Sequence, residues 1–217
     1  MTKEEREEKA LLKLQKEKER LFLMGEYERK YADLDYICGV DEVGRGPFAG
    51  PVMAGAVILP KDCEILYLND SKKLSPKRRE ALYDEILGKA VAWSVARVEP
   101  ERIDEINILQ ATFEAMREAV SKLQIRPDII LVDAVHIPDI DIPQESIVKG
   151  DAKSLSIAAA SVVAKVTRDR IMEEYGQTYP GYGLERNMGY GTEEHRKALK
   201  SLGATPIHRK TFIHKYI

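Results

Sequence analysis

The chain has 217 residues, 44% of them hydrophobic, and a formal net charge of −2, which suits one large core in a globular protein. No run approaches the roughly 18 apolar residues of a membrane span, and the chain opens with charge rather than with the apolar stretch of a secretion signal. Two cysteines, Cys38 and Cys63, lack the spacing of a zinc site or a disulfide scaffold, so a cytoplasmic protein with inert, reduced thiols is expected.

Residues 3–30 are charge-laced and rich in helix formers, with Leu14 and Leu21 seven apart. They predict a helix or helical hairpin with one face on the body; an arm that grips substrate or a partner is the alternative. Gly25 is the expected break, which makes residues 1–30 an extension and 31–217 the main domain. Three short β-favouring runs follow, YICGVD, PVMAGAVIL and VAWSVARV, and predict a meander. Ser75 and Pro76 open a helix over 75–87 as N-cap and first helical residue. Residues 108–123 read as a helix, PDIILVDA as a buried strand ending on an aspartate, and ESIVKGD as a short strand. A long helix is predicted over 151–175, with Asp151 at its start and Ala158, Ala159, Ala160 and Ser161 small enough for close packing on a sheet. After a Gly- and Tyr-rich stretch, one more helix starts near Thr192. Strands first, then strand and helix in alternation, predict an α/β fold with a mixed sheet flanked by helices. Residues 149–217 hold 12 Lys and Arg against 7 Asp and Glu, a basic bias that is weak support for nucleic-acid binding when taken alone.

The chemistry sits where apolar strands end. Asp41 and Glu42 follow YICGV, Asp133 follows IILV and Asp151 follows SIVKG. Gathered at one sheet edge, four carboxylates without histidine or cysteine suit Mg2+ or Mn2+. Two such ions about 3.5–4 Å apart activate water and stabilise the leaving oxygen in phosphodiester hydrolysis. Each acid has a plainer use: Asp151 alone reads better as a helix N-cap, and Asp133 as a turn residue. Asp41 and Glu42 face opposite ways on a regular strand, so a shared site predicts a strand broken at Glu42 by Gly44-Arg45-Gly46-Pro47.

Six segments in one order, GVDEVGRGPFAGPVMAGAVIL, NDSKKLSPKRRE, IILVDA, KGDAKSLSIAAASVVAKVTRDR, YPGYGLERNMGYGTEEH and HRKTF, resemble the ribonuclease HII family over residues 35–213. The resemblance implies a ribonuclease H-like fold with a five-stranded mixed sheet and a small helical C-terminal portion, the N-terminal helical extension lying outside it. It implies an endoribonuclease acting on RNA/DNA hybrids and on single ribonucleotides embedded in duplex DNA. Cleavage would fall 5' of the ribonucleotide and leave 3'-hydroxyl and 5'-phosphate ends, with Mn2+ or Mg2+ as cofactor, two ions being bound with substrate. The family's acidic quartet falls on Asp41, Glu42, Asp133 and Asp151. Its ribose-sensing turn falls on Gly44, Arg45 and Gly46, and its recognition tyrosine on Tyr190, whose ring can stack beside the ribonucleotide.

Phosphate contacts are expected from Ser71, Lys72, Lys73 and Lys149, while His195, Arg196, His208 and Arg209 are candidates for the basic face. Met188 stands where the family commonly has lysine. A monomer without membrane attachment is expected. The competing readings are a catalytically inactive hybrid-binding module and a relative that ignores isolated ribonucleotides; the intact quartet argues against the first, and the Gly44–Gly46 turn with Tyr190 against the second.

Overall fold

The computed structural model describes residues 2–217. Helix α1 (Lys3–Met24) is capped by Thr2 in a reciprocal box with Glu5 and stops at Gly25, and a short helix α2 (Glu26–Lys30) follows. One stripe of α1 meets the body: Glu17, Leu21 and Met24 are buried. Glu17 accepts from the Tyr67 amide at 2.6 Å, and Arg20 donates to the Leu68 carbonyl at 2.6 Å. Leu11, Leu12, Phe22 and Leu23 stay exposed, so the extension is a solvated helix with one anchored face.

The sheet holds β1 (Ile37–Val43), β2 (Val52–Ile58), β3 (Ala92–Val98), β4 (Ile129–Asp133) and β5 (Gln144–Ile147) in the order β3-β2-β1-β4-β5. The first three strands form the antiparallel meander, and β4 and β5 run parallel to β1. One face packs on helix α4 (Pro100–Ser121) through Cys38, Val40, Ala54, Ala56, Ala115 and Met116. The other carries helix α5 (Leu155–Thr178), against which helix α3 (Pro76–Lys89) packs. The approach of α5 to β1 is close enough that a Cβ on Gly39 would lie 2.0 Å from the Ser156 carbonyl carbon. A side chain there would push the helix off the strand.

One helix start agrees with expectation and one differs. Within α4, Asn107 at φ 67 breaks the helix and its side chain accepts from the Leu109 and Gln110 amides, so a helix restarts at 108 as expected, and the helical segment from Pro100 to the break is additional. Helix α5 begins at Leu155, capped by Ser154. Asp151 therefore is not a helix N-cap: it lies in a short 3-10 turn, Gly150–Ala152.

The C-terminal portion adds short helices α6 (Leu184–Asn187), α7 (Glu193–Leu202) capped by Thr192, and α8 (Lys210–Ile213). They close over Met172, Tyr182, Leu184, Leu199 and Ile213 as a satellite core. Among the described residues no helix is long and apolar enough to cross a membrane.

Candidate active site

Parallel pairing of β1 with β4 brings their C-terminal ends to one edge, and β5 leads into the turn that carries Asp151. Asp133, the last residue of β4, accepts from the Gly150 amide at 2.7 Å, which ties the Asp151 turn to the strand end. The expected break at Glu42 does not occur. Strand β1 keeps its antiparallel register with β2 through Asp41, Glu42 and Val43, because β2 supplies partners for that whole length. Asp41 consequently faces α5 and is 7% exposed, while Glu42 points to the opposite side of the strand and pairs with Arg45 at 3.3 Å.

Electrostatics link the acids despite this divergence. Burial, then the nearby Glu42 and Asp133 charges, push the Asp41 carboxyl up to about 8, against a hydrogen bond from Ser161 and one from the Glu42 amide. Burial, then Asp70 and Asp133, raise Asp151, with Lys72 and Lys73 offsetting part of the effect. Among the described residues no three His, Cys, Asp or Glu side chains sit close enough to ligate one ion as they stand. A divalent cation fits this edge chemically, since the donors are all oxygen and its charge would relieve the repulsion that raises Asp41.

The NDSKK segment flanks this edge. Ser71 is buried and its hydroxyl lies 2.9 Å from that of Ser161, so it points at the Asp41 support rather than into solvent. With Lys73 beside it, Lys72 is a cation at the edge. Partial burial works against its charge, but Asp41, Asp70, Asp151 and Glu42 outweigh that and hold its ammonium above the ordinary lysine value. Asp70 is a residue that the sequence reading missed: it is 9% exposed, caps the Ser71–Lys73 turn through the Lys72 amide at 2.9 Å, and adds negative charge beside Asp151. Its position just before a Ser-Lys-Lys turn was the available signal. Lys149 is exposed in a left-handed conformation immediately before the Asp151 turn.

Beyond β1 the chain turns at Gly44, whose φ of 89 is open to glycine and strained for other residues, and exposes Arg45 and Gly46. Tyr190 stands beside this turn with 45% of its surface exposed; a Cβ on Gly46 would lie 3.6 Å from its ring. The Phe48 amide donates to the Gly189 carbonyl at 2.8 Å, joining the two loops.

Two fully buried arginines brace them from below. Arg209 donates to the carbonyls of Gly44, Arg45 and Gly50, and Arg168 to those of Ala49, Pro51 and Met188. Burial lowers Arg209 to about 9 and Arg168 to about 10, so both remain charged at neutral pH. Arg209, His195 and His208 were expected on a basic surface and are instead interior, because each finds partners there; burial lowers both histidines and leaves them neutral. Met188 also serves the interior, giving its carbonyl to Arg168.

A family model described as Ribonuclease HII matches residues 38–216. The ribonuclease HII of Lachnoclostridium phytofermentans is 63% identical over 201 residues, covering 93% of this chain and 79% of the relative. That of Leuconostoc mesenteroides is 54% identical over 207 residues, covering 94% and 81%. Among solved structures, the ribonuclease H2 of Pyrococcus horikoshii superposes with a TM-score of 0.69 at 32% identity, over 83% of this chain and 96% of that one. At 18% identity, the Q54A mutant of Bst-RNase HIII shares the fold with a TM-score of 0.65, over 85% and 70%. The five-stranded mixed sheet is thus a ribonuclease H-like fold, and since the match runs from β1 to the C-terminal helices, the chain belongs to the ribonuclease HII family of metal-dependent ribonucleases.

Proposed function

We propose that the protein is an endonuclease that hydrolyses the RNA strand of RNA/DNA hybrids and cuts on the 5' side of a single ribonucleotide in duplex DNA, leaving 3'-hydroxyl and 5'-phosphate ends. The observation that carries this reading is the adjacency of the carboxylate edge to the exposed Gly44–Gly46 turn and Tyr190, joined through β1 and the Glu42–Arg45 pair. A site that cuts phosphodiesters thereby abuts a surface able to inspect a sugar.

Asp41, Asp133 and Asp151 would hold two Mg2+ or Mn2+ ions, with Glu42, whose charge reaches Asp41 and Lys72, turning in from its pair with Arg45 to complete the set; the ions would supply a Lewis acid for the scissile phosphate and a nucleophile at neutral pH. Around them the chain's own groups divide the work. Ser161, steadied by Ser71, donates to Asp41 and favours its ionised form. Lys72 and Lys149 neutralise phosphates flanking the cut, and the guanidinium of Arg45 is free to turn from Glu42 to a phosphate, because an exposed pair is weak. Backbone groups of the glycine turn approach the 2'-hydroxyl, which distinguishes RNA from DNA. Tyr190 stacks on the nucleotide that follows, a contact of about 1–3 kcal/mol for a base on an aromatic ring.

The test uses a labelled DNA duplex with one ribonucleotide, the all-DNA duplex and a continuous hybrid, each with Mg2+, Mn2+ or EDTA. Metal-dependent cutting 5' of the ribonucleotide is expected, with the all-DNA duplex intact. Cutting of the continuous hybrid alone would remove the single-ribonucleotide part of the reading, and retained binding without any cutting would leave a hybrid-binding module.

A further inference from the structure

His195 and His208 lie beneath the Tyr190 loop, 0% and 2% exposed, with their Nε2 atoms 2.9 Å apart. The Thr205 backbone amide can only donate, and it donates to His208 Nδ1 at 3.0 Å. That nitrogen therefore carries no proton, and a neutral His208 must carry its proton on Nε2. His208 Nε2–H then donates to His195 Nε2, which leaves His195 protonated on Nδ1, where it donates to the Tyr190 carbonyl at 3.0 Å. The chain of hydrogen bonds has one direction: Thr205 amide, His208, His195, Tyr190 carbonyl.

Both ends of this chain touch the recognition surface. The backbone of His208 is bridged to Ala49 of the glycine-rich loop, flanked by Gly50 N–H to Ile207 O at 2.9 Å and Arg209 N–H to Phe48 O at 2.8 Å. At the other end the Tyr190 amide is held by the Asn187 carbonyl at 2.9 Å and its carbonyl accepts from the Thr192 amide at 2.8 Å, so the histidine bond is a second donor on that carbonyl, coming from the interior while the ring faces out. We propose that His195 and His208 are positioning residues for Tyr190, holding its ring against the Gly44–Gly46 turn in the orientation that meets the nucleotide next to a ribonucleotide.

This rests on the reading of Tyr190 given above. A proton added to either ring would set donor against donor, at the shared Nε2 contact or at the Thr205 amide, and the depressed basicity of both rings agrees with that. The rings of Phe48 and Tyr182 pack on the pair, and the Glu194 carboxylate at the start of α7 acts on His195, outweighed by burial.

The experiment is a double-mutant cycle on the full chain, reading KM and kcat for the single-ribonucleotide duplex. His208→Leu should raise KM roughly fivefold to tenfold, the scale of one lost buried hydrogen bond, with a smaller change in kcat. His208→Gln keeps a donor near the Nε2 position and should recover most of that loss. In a Tyr190→Ala background His208→Leu should add nothing further, whereas an equal loss in both backgrounds would overturn the proposal. A Tyr190→Ala variant with unchanged KM and kcat would instead overturn the reading of Tyr190 itself. Nitrogen-15 NMR of the wild-type rings gives an answer independent of any variant's folding: His208 protonated on Nε2 and His195 on Nδ1 supports the chain, and the opposite tautomers refute it.

Discussion

Arg209 Nη2 donates to the Gly44 carbonyl at 2.6 Å, across 165 residues of sequence. The same guanidinium also reaches the Arg45 and Gly50 carbonyls, and no carboxylate forms a salt bridge with it among the described residues. In a trans peptide the carbonyl and the next amide point opposite ways. Drawing the carbonyls of Gly44 and Arg45 inward therefore turns the amides of Arg45 and Gly46 outward, toward the surface on which a sugar would lie.

Replacing Arg209 with Met keeps much of the volume and strands the three carbonyls it serves, those of Gly44 and Gly50 in buried bonds and that of Arg45 in a partly buried one. A loss of about 2–4 kcal/mol is expected from unsatisfied buried groups, measured as a lower urea midpoint. An unchanged midpoint would show that water or the loop itself satisfies those carbonyls.

Asp133→Asn should abolish metal-dependent cleavage and leave the fold intact. Its Oδ1 can still accept from Gly150, so the turn that presents Asp151 survives, and an unaltered far-ultraviolet circular dichroism spectrum should accompany the loss. Substantial cleavage by this variant would remove Asp133 from the metal site.

Acid should destabilise the fold through His208. Its ordinary value is 6.5 and burial first, then His195, lowers it to about 4 in the folded chain. Above pH 6.5 the ring is neutral in both states, so its full contribution is present. Between about 6.5 and 4 the unfolded chain takes up a proton that the folded ring refuses, and stability falls as pH falls. Urea midpoints at pH 7.5, 6 and 5 should decline, and more steeply in the wild type than in His208→Gln.

Deleting residues 2–24 should raise KM for a nucleic-acid substrate more than it lowers kcat. Helix α1 touches the body through Glu17, Arg20, Leu21 and Met24, near the loop at Tyr67 and Leu68 that precedes Asp70 and Lys72. Its loss should loosen that loop while leaving Asp41, Asp133 and their strands in place. Equal KM values for the two forms would show that the extension plays no part in substrate binding.

Much of the molecule follows from local pattern. The short apolar, β-favouring runs within 36–59 and 127–134 are what strands buried on both faces require, Ser75 and Pro76 start α3 where a cap and a first-turn proline belong, and the small residues 158–161 allow α5 onto the sheet. Asp133 ends β4 as an apolar run that stops at an acid predicts, whereas Asp41 lies two residues short of the end of β1. Glu42 went astray: a glycine-rich stretch suggested a break, but the register with β2 carries the strand past it. Asp151 was likewise separated from its helix only by Ser154 capping α5 three residues later.

Local sequence was enough for the strands, most of the helices and the family, and it nominated four candidate acids, since hydrophobic period, capping and motif order all act over a few residues. Tertiary structure alone decided which charged and polar side chains turn inward. Arg209, His195 and His208 look like surface residues in the sequence, and nothing there singles out Arg168, because burying such groups without partners is costly. Their partners, the carbonyls of Gly44, Ala49, Met188 and Tyr190 and the amide of Thr205, are brought to them by the fold, and that assembly puts them inside.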